Sequence, residues 1–563
     1  MSRWLLPAAA SGSIAQRVLA HRGITDADRF LRPSLADLHD PLALADMAQA
    51  VARLRKAIDS GEKILIYGDY DVDGTASVVL LTKAIELAGG KAAYHVPHRL
   101  KDGYGMRSEV VEAAAEAGTR LIVSVDTGIR AAEVVRHAAG LGIDVIVTDH
   151  HLPESELPPA LAVLNPNRPD CGYPEKNLCG AGVAFKLAQA LVGTLNWPAE
   201  KQRRISESLL KLVAIATVAD VVPLTGENRV IVKHGLDGLR DVRNPGLRAL
   251  LEVAGLGNGS GPPTARQVAF QIAPRLNAAG RMDKAQDAIE LFLTNDPQRA
   301  RELASHLDQQ NLDRRQVESE IREICEGIAV DESATALVYY SENWHRGVIG
   351  IVAGRLVEQF HRPVFVLGRN PEDGLAQGSG RSIPAFHLLQ ALESMPDLFV
   401  RFGGHEHAAG VTLDASRVCE FRERLNAYAA ACLGPEDLMP QIEIDAVAEL
   451  SEISEKSIAD LFALAPFGHG NPPPVLAALD VEVPALPTVL KEKHLRVIVR
   501  QNRRTLVLNA WNFAARAAEL TLGSHVDIAF TLEEDAFAAA QGRPGWSPVL
   551  KDVRPAAAAV TAT

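Results

Sequence analysis

The sequence predicts an α/β protein of several domains: a parallel-sheet unit, a long connecting helix, a second α/β unit and a C-terminal β barrel. Three observations carry this prediction. Strand-like and helix-like segments alternate from residue 63 to residue 148, charged residues recur at helical spacing over 284–329, and short alternating strands follow residue 439. A chain of 563 residues is also too long for one ordinary core.

The first unit is built from short apolar runs that alternate with helical segments. The helices stop at Gly89-Gly90 and at Gly118, which are typical helix ends. Repeated strand–helix–strand order implies right-handed crossovers and a mostly parallel sheet. The predicted elements are strand 63–68, helix 75–88, strand 91–96, helix 107–117, strand 120–125, helix 130–139 and strand 144–148.

The remaining units are predicted from the same signals. Strand 335–340, helix 348–360 and strand 363–367 begin the second α/β unit, while segments such as 494–499 and 505–511 alternate like the strands of a small barrel. Residues 1–50, rich in Pro and Ala, are expected to pack as a leader on the first domain. The predicted boundaries are a leader at 1–50, a first domain at 51–283, a connecting helix or helix pair at 284–334, a second α/β domain at 335–436, a barrel at 437–555 and a frayed tail at 556–563.

Composition restricts the class of protein but not its substrate. No apolar run reaches the roughly 20 residues of a membrane span, and no secretory signal is recognised at the N-terminus. Five widely spaced cysteines without a CxxC pair suit a reducing, cytoplasmic setting. The net charge of −12 argues against nucleic acid, but a metal site concentrates acids, and a local basic groove can coexist with an acidic whole.

Acidic residues follow several predicted strands at the point where each strand ends. Asp69, Asp71 and Asp73 follow the first strand, Asp126 follows strand 120–125, and Asp149-His150-His151 follows strand 144–148. A further acid, Asp220, lies in an apolar segment. Because ligands bind beyond the carboxyl ends of parallel strands, we expect these side chains to converge. Clustered carboxylates repel one another unless a cation is present, and Asp with His suits Mn²⁺, with Mg²⁺ as a substitute.

Each of these motifs has an ordinary structural alternative. A single Asp after a strand is usually a helix cap or a turn residue, and a His pair by itself is more often a surface or core feature than a ligand pair. The joint pattern on successive strand ends favours a metal centre over these readings.

Four segments carry a specific family resemblance. Asp149-His150-His151 is the DHH signature, and segments 68–74, 125–128 and 217–220 resemble motifs I, II and IV of the RecJ-type exonucleases. The chain thus resembles the DHH phosphoesterases, and within them the RecJ type, over nearly its whole length. Many relatives have His before the Gly of motif I, where this chain has Tyr67. Tyrosine is a poor ligand for Mn²⁺, so Asp69 or Asp71 is expected to fill that place.

The resemblance implies two divalent ions, Mn²⁺ or Mg²⁺, that clamp a phosphodiester and activate water, so that no protein nucleophile is needed. Asp126 would bridge the ions, Asp71 would serve one and Asp73 the other, and His151 would orient a neighbour. The implied catalytic residues are Asp71, Asp73, Asp126, His150, His151 and Asp220, and the implied metal ligands are Asp69, Asp71, Asp73, Asp126, His150 and Asp220.

The resemblance also implies contacts to phosphate. Gly403-Gly404-His405 resembles the GGH segment of a DHHA1 domain, and the 378–382 segment is expected to be a flexible loop that offers a hydroxyl and a guanidinium. In the family, contacts of this type hold a terminal 5′ phosphate. A glycine-rich turn, or an interdomain hinge at 274–281, is the structural alternative. The implied substrate-binding residues are Arg99, Arg275, Asn277, Arg281, Ser379, Arg381 and His405.

Taken together, the resemblance implies a fold of DHH, DHHA1 and OB-like domains and a single-stranded-DNA exonuclease of DNA repair and recombination. Digestion would run 5′ to 3′ and release mononucleotides, with single-strand binding protein and a RecQ-type helicase as partners. The principal alternative is a phosphodiesterase of oligonucleotides or cyclic dinucleotides, whose members are usually shorter and lack the terminal β unit. A nucleic-acid-binding scaffold with a dead site is disfavoured because the clustered acids are retained.

Overall fold

The computed structural model describes residues 2–99, 102–103, 105–257, 261–282, 284–328, 333–535, 538–539 and 541–556, so most of the predicted tail lies outside the described residues. The chain forms two compact units. The large unit comprises residues 34–434 and 468–471, and the terminal unit comprises 1–33, 435–467 and 472–563. The first elements, all in the terminal unit, are β1 (Arg3–Leu5), α1 (Ile14–His21) and α2 (Ala27–Leu31).

The first part of the large unit is a five-stranded parallel sheet covered by helices. Its strand order is β3-β2-β4-β5-β6, with every neighbouring pair parallel. The strands are β2 (Lys63–Tyr67), β3 (Ala92–His95), β4 (Thr119–Val125), β5 (Asp144–Thr148) and β6 (Ala162–Leu164). The helices around it are α3 (Met47–Asp59), α4 (Val72–Leu87), α5 (Ser108–Glu116), α6 (Ala132–Gly140), α7 (Gly180–Gly193), α8 (Ala199–Ala219), α9 (Gly226–Gly238) and α10 (Pro245–Val253).

This sheet is buried on both faces, as parallel sheets generally are. Ile64 and Ile66 of β2 enter one apolar cluster with α4 and α7, while Leu65 and Tyr67 enter a second cluster with α5 and α6. The alternation of side chains along β2 therefore fixes its register between two helical layers.

A helical stretch follows and leads to the second α/β part of the same unit. It contains α11 (Ala265–Gln267), a π-helical turn (Val268–Ile272), α12 (Ala273–Met282), α13 (Gln286–Leu293) and α14 (Pro297–Gly327). The predicted connecting segment is thus a helix pair, because Asp296 caps α14 and Pro297 occupies its first position. The α14 helix has 31 residues and extends about 46 Å.

The second α/β part is a mixed five-stranded sheet of order β10-β11-β9-β8-β7, in which only the β7–β8 pair is parallel among the described strands. Its elements are β7 (Leu337–Ser341), α15 (Ile349–Phe360), β8 (Val364–Arg369), β9 (Ala376–Arg381), α16 (Leu388–Glu393), β10 (Arg401–Gly404), β11 (Ala408–Leu413) and α17 (Val418–Cys432). The expectation of a flexible loop at 378–382 is wrong. Most of this segment is β9, paired on both sides, and a Cβ on Gly380 would lie 2.5 Å from the Phe365 ring.

The terminal unit contains a barrel. Its seven-stranded sheet has the order β13-β14-β18-β19-β17-β16-β15, and a further β14–β16 pairing closes five of the strands, as in an OB-like barrel. The remaining elements are β12 (Gln441–Glu443), β13 (Ala446–Val447), α18 (Glu455–Phe462), β14 (Val475–Glu482), β15 (Thr488–Leu490), β16 (His494–Gln501), β17 (Arg504–Ala510), β18 (His525–Glu534) and β19 (Trp546–Pro555).

The predicted leader at 1–50 is not one segment, because residues 1–33 belong to the terminal unit and residues 34–50 belong to the large unit. Strand β1 pairs in parallel with β12, and the Trp4 indole donates a hydrogen bond to Asp552 at 2.8 Å. The apolar side chains of Ile14 and Val18 on α1 are buried in the barrel's own core. Their burial explains the placement, since this helix exposes one apolar stripe that only an apolar surface can cover.

Short 3₁₀ helices complete the described structure at Leu35–Asp37, Pro41–Ala43, Pro396–Leu398, Ala415–Arg417, Leu450–Glu452 and Ala514–Glu519. Within the described residues, no helix is both long enough and apolar enough to span a membrane.

Candidate metal centre and phosphate site

The loop between β2 and α4 carries three acidic side chains into one place. Asp71 is the N-cap of α4 and accepts a hydrogen bond from the Gly74 amide at 3.0 Å, so the helix begins three residues earlier than predicted. Asp69 and Asp73 are buried. The two carboxylate oxygens of Asp73 accept hydrogen bonds from the amides of Gly180 and Ala181, at 2.6 and 2.7 Å.

Asp126 follows β4 and lies at the centre of the cluster. Its backbone has φ of +59°, a left-handed conformation that Asp tolerates better than most residues. Its carboxylate oxygen lies 3.3 Å from Nε2 of His150. The same nitrogen is 3.8 Å from Asp73 and 3.7 Å from Asp220, which caps the C-terminus of α8.

The DHH segment contains both candidate metal ligands and a residue that supports them. Asp149 is fully buried and accepts hydrogen bonds from the backbone amides of Ile129, His150 and His151. It also contacts Nδ1 of His151 at 2.8 Å, so it orients that ring. Asn165 and Asn167 hold the carbonyls of His151 and His150. The backbone of the two histidines is thereby fixed.

The ligand atoms of these residues fall into overlapping groups, each within 4.8 Å. One group is Asp69, Asp71 and Asp126; a second is Asp73, His150 and Asp220; a third joins Asp126 to His150 and His151. Asp126 is therefore shared by the first and third groups, and His150 is shared by the second and third groups. Carboxylate-rich groups with one histidine are suited to Mn²⁺ and to Mg²⁺.

The electrostatics of the cluster favour a bound cation. Burial raises the pKa of Asp69, Asp73 and Asp126 above the ordinary range, and neighbouring carboxylates add to the shift of each. Burial lowers the pKa of His150, which keeps the ring neutral as a ligand must be. Among the described residues, the buried atoms Oδ1 of Asp69, Oδ2 of Asp220 and Nε2 of His150 have no hydrogen-bond partner. Divalent ions at these atoms would satisfy them and cancel the repulsion, so the residues fit the metals.

The pKa values of the two histidines of the signature are shifted in opposite directions. Burial lowers the pKa of His151, but the hydrogen bond to Asp149 and the charges of the surrounding carboxylates together outweigh burial and raise it. Burial raises the pKa of Asp149, but the hydrogen bond from His151, the charge of His151 and the backbone amides together lower it. Asp149 thus stays ionised and favours the protonated form of His151. Tyr67 stands where many relatives have the histidine of motif I. Its side chain is buried, and its hydroxyl donates a hydrogen bond to the Gly105 carbonyl at 3.3 Å.

We expect the metal-free protein to lose thermal stability as the pH rises. Burial, with Asp73 adding to it, raises the pKa of Asp220 to about 9, against about 3.9 in an unfolded chain. A carboxyl with a raised folded pKa binds more protons when folded, so its contribution to folding falls as the pH rises between these values. Melting temperatures in EDTA from pH 5 to 9 should fall more steeply for the parent than for Asp220→Asn. Equal slopes would contradict the expectation, and saturating Mn²⁺ should flatten the parent's slope.

An arginine cluster lies beside the acids. Arg281 is half-buried and donates to the Gly347 carbonyl at 3.2 Å; burial, with Arg99 and Arg314 nearby, lowers its pKa to about 9. Burial and Arg99 also lower the pKa of Arg381. Like charges gathered in a half-buried place repel one another unless an anion joins them, so this arrangement is suited to phosphate.

The arginine cluster comprises Arg99, Arg281, Arg314 and Arg381, and further predicted substrate residues lie near it. The Arg99 guanidinium lies 4.9 Å from the centre of the Tyr70 ring, and the Ser379 hydroxyl accepts a hydrogen bond from Arg381 at 3.0 Å. His405 is exposed on the turn after β10, and burial, Arg130 and His151 lower its pKa, which places it within electrostatic reach of the DHH segment.

Two of the predicted substrate residues make hydrogen bonds within the protein. The Arg275 guanidinium donates to Asp308 at 2.8 Å and to the carbonyls of Gln271 and Val253, which favours a structural role. Asn277 accepts a hydrogen bond from the Val72 amide at 3.1 Å. Since Val72 lies between Asp71 and Asp73, Asn277 positions the acidic loop.

Sequence reasoning missed the groups that position the ligands. A Cβ on Gly180 would lie 2.6 Å from a carboxylate oxygen of Asp126, so only glycine fits there. The small-residue run Cys179-Gly180-Ala181-Gly182 at the start of a helix was the available signal, because helix N-termini bind carboxylates through backbone amides. The support from Asn165 and Asn167 left no comparable pattern.

Comparison with known proteins adds family models to this geometry. The DHH family N-terminal domain matches residues 63–217, the DHHA1 domain matches 333–431, and the RecJ OB domain matches 444–542.

Curated relatives match along most of the chain. The single-stranded-DNA-specific exonuclease RecJ of Dickeya dadantii is 40% identical over 506 residues, covering 86% of this chain and 86% of the relative. The RecJ of Bacillus subtilis is 39% identical over 522 residues, which are 91% of this chain but 64% of that relative's length.

A solved structure matches the whole fold. Thermus thermophilus RecJ in complex with Mn²⁺ superposes with a TM-score of 0.83 and 31% identity, covering 99% of this chain and 80% of that one. The Mg²⁺ complex of the same Thermus protein gives a TM-score of 0.77 and 30% identity, covering 99% and 79%.

Proposed function

This chain belongs to the RecJ family of single-stranded-DNA-specific exonucleases, and we propose that it digests single-stranded DNA from an end by metal-dependent hydrolysis of phosphodiester bonds. The observation that carries the proposal is the set of overlapping ligand groups around Asp126, next to the half-buried arginine cluster. Two adjoining ion sites are suited to phosphodiester cleavage, and the arginines offer the positive charge that a polyanionic strand requires.

The side chains divide into ion-holding and substrate-holding groups. When bound, Mn²⁺ or Mg²⁺ polarises the scissile phosphodiester and activates water for attack. Asp126 would serve both ions, and His151, whose Nδ1 is held by Asp149, would donate a hydrogen bond from Nε2 to a phosphate oxygen. One ion would be held by Asp69, Asp71 and Asp126, and the other by Asp73, Asp126, His150 and Asp220.

The direction of digestion is proposed from the family resemblance, with the arginine cluster as the contact to phosphate. Arg99, Ser379 and Arg381 would hold the terminal 5′ phosphate, with Arg281 and His405 on neighbouring phosphates, so that digestion proceeds 5′ to 3′ and releases mononucleotides. Asn277 supports the acidic loop, and Arg275 is not included because Asp308 and two carbonyls already engage it.

The terminal unit offers a second surface for the strand. Trp511 is 51% exposed, and the His494 ring packs edge-on against it with centroids 5.0 Å apart. Lys491, Lys493 and Arg496 lie nearby in the sequence. Exposed aromatic and basic residues on an OB-like barrel are suited to stacking bases and following a backbone.

The cellular setting is proposed on the family's behaviour. A single-strand exonuclease acts in DNA repair and recombination, with single-strand binding protein and a RecQ-type helicase supplying its substrate. A bacterial enzyme of this kind works in the cytoplasm, which agrees with the five free cysteines of the described structure.

An end-labelled digestion tests the function. With Mn²⁺, a 5′-labelled single strand should lose its label as mononucleotide at once, a 3′-labelled strand should shorten stepwise, and a blunt duplex should survive. The Asp126→Asn variant serves as the inactive control. Equal digestion of the duplex, or activity confined to dinucleotides, would overturn the proposal in favour of a different nuclease or a dinucleotide phosphodiesterase.

A further inference from the structure

A cavity of about 180 Å³ adjoins the metal centre in the large unit. Its walls come from the end of α8, the π-helical turn with α12, and the start of α15. The apolar lining includes Val218, Val221, Ala269, Pro274 and Ile351. The polar lining consists of Asn277, Arg281 and Arg314, all at the α12 and α14 side.

The cavity lies between the two sites already described. Val218 and Val221 flank the ligand Asp220 in the chain, so one wall belongs to the metal centre. Arg281 is a member of the arginine cluster, so the opposite wall belongs to the phosphate site. A nucleotide with one phosphate at the arginines and the next at the carboxylates would have to place its base nearby.

Two exposed apolar side chains mark the same region. Val221 is 63% exposed and has φ of +59°, a conformation that a β-branched residue rarely adopts. Phe270, next to the lining residue Ala269 in the π-helical turn, is also 63% exposed. Large apolar groups held in solvent beside an active site are typical of ligand contacts, and π-helical turns are frequent at such sites.

We propose that this cavity receives the base of the terminal nucleotide, the one released by each cleavage. The inference rests on the proposed function and adds a base subsite to it. The Ala269 and Pro274 wall would cover one part of the base, and Val218, Val221 and Ile351 would cover the rest.

The size and chemistry of the cavity match this occupant. Cavities for drug-sized ligands measure roughly 300–1,000 Å³, so 180 Å³ suits one planar ring system rather than a whole nucleotide. At the polar side, Arg281 donates to the Gly347 carbonyl, and Arg314 donates to Glu318 and Asn311. Alkyl walls give contact without reading base edges, so all four bases would be accepted.

Abasic substrates test the subsite. Three 5′-phosphorylated strands would be compared by kcat/KM in Mn²⁺: an intact strand, one with an abasic unit at the terminal position, and one with it at the third position. For the parent protein, the terminal abasic unit should lower kcat/KM about tenfold, the effect of losing one base contact. The third-position unit should have no such effect.

Variants then connect that loss to the cavity. Ala269→Leu fills it and should lower kcat/KM about tenfold on intact DNA while leaving the terminally abasic strand unchanged. Val221→Gly removes a wall, suits the left-handed backbone and should lower kcat/KM about threefold on intact DNA alone. Ala113→Leu, at an exposed position of α5, is the matched control and should change neither substrate.

The outcomes separate the subsite from the function. Failure of the parent to digest intact single strands would overturn the proposed exonuclease itself. Digestion with no penalty for the terminal abasic unit, a penalty only at another position, or variants that impair both substrates equally would overturn the base subsite alone.

Discussion

Asp126→Asn should lower kcat on single-stranded DNA by about 10³-fold or more in saturating Mn²⁺, because a residue shared by two of the three ligand groups loses the charge that holds the ions. The fold should persist, since Asn has the same shape and tolerates the left-handed φ of +59° at this position. Without metal, the variant should melt at a higher temperature than the parent, because burial and the neighbouring carboxylates that raise the pKa of Asp126 make its charge unfavourable there.

The control for this result is a carboxylate at the opposite end of a neighbouring strand. Asp144 begins β5, is 48% exposed in its side chain and pairs with Arg53. Asp144→Asn should retain parental kcat and a parental response of the melting temperature to Mn²⁺. Parental activity in Asp126→Asn, or a lower metal-free melting temperature than the parent's, would contradict the shared-ligand role.

Gly180→Ala should lower kcat by about 100-fold and raise the Mn²⁺ concentration needed for activity. The added Cβ would lie 2.6 Å from a carboxylate oxygen of Asp126, so that carboxylate has to move. The Gly180 amide also donates to Asp73 at 2.6 Å, and displaced supports of metal ligands typically cost 10–100-fold. The melting temperature is measured beside the activity, and a parental value shows that the loss of activity does not come from unfolding.

Gly193→Ala is the matched control, since Gly193 ends the same helix α7 and an added Cβ there meets no atom within 4 Å in the described structure. It should keep parental activity across a Mn²⁺ titration, with equal or higher melting temperature. If Gly180→Ala followed the parental titration curve, the close approach to Asp126 would have no functional meaning.

The sequence predicted which acidic and histidine side chains converge because most of them obey a positional rule. Asp71, Asp126 and His150 lie in the segments that follow parallel strands, and the carboxyl ends of parallel strands meet at one edge of a sheet. Asp220 could be included only by family resemblance, since it ends a helix whose approach to the sheet depends on tertiary packing. Gly180, Asn165 and Asn167 act through backbone groups, which leave almost no pattern in side-chain chemistry.

The errors in the predicted fold have the same origin. Strand β9 is rich in glycine, which weakens any strand signal, yet Gly378 and Gly380 are required where Leu367 and Phe365 pack against them. The N-terminal segment was assigned to its neighbour in the chain, whereas α1 packs with residues far along the sequence. Local patterns predict elements well but cannot predict which distant surface covers an apolar stripe.

The pairing of β1 with β12 has a consequence for synthesis on the ribosome. Leu5 and its partner Glu443 are separated by more than 400 residues, and at about 5–20 residues per second the gap takes roughly 20–90 seconds to translate. During that time the large unit can fold, but the apolar stripe of α1 stays exposed. Chaperones can bind this stripe until the barrel is complete. The large unit is therefore synthesised completely before β1 can pair with β12. A fragment beginning after residue 33 would lack one strand and a core helix of the barrel-containing unit.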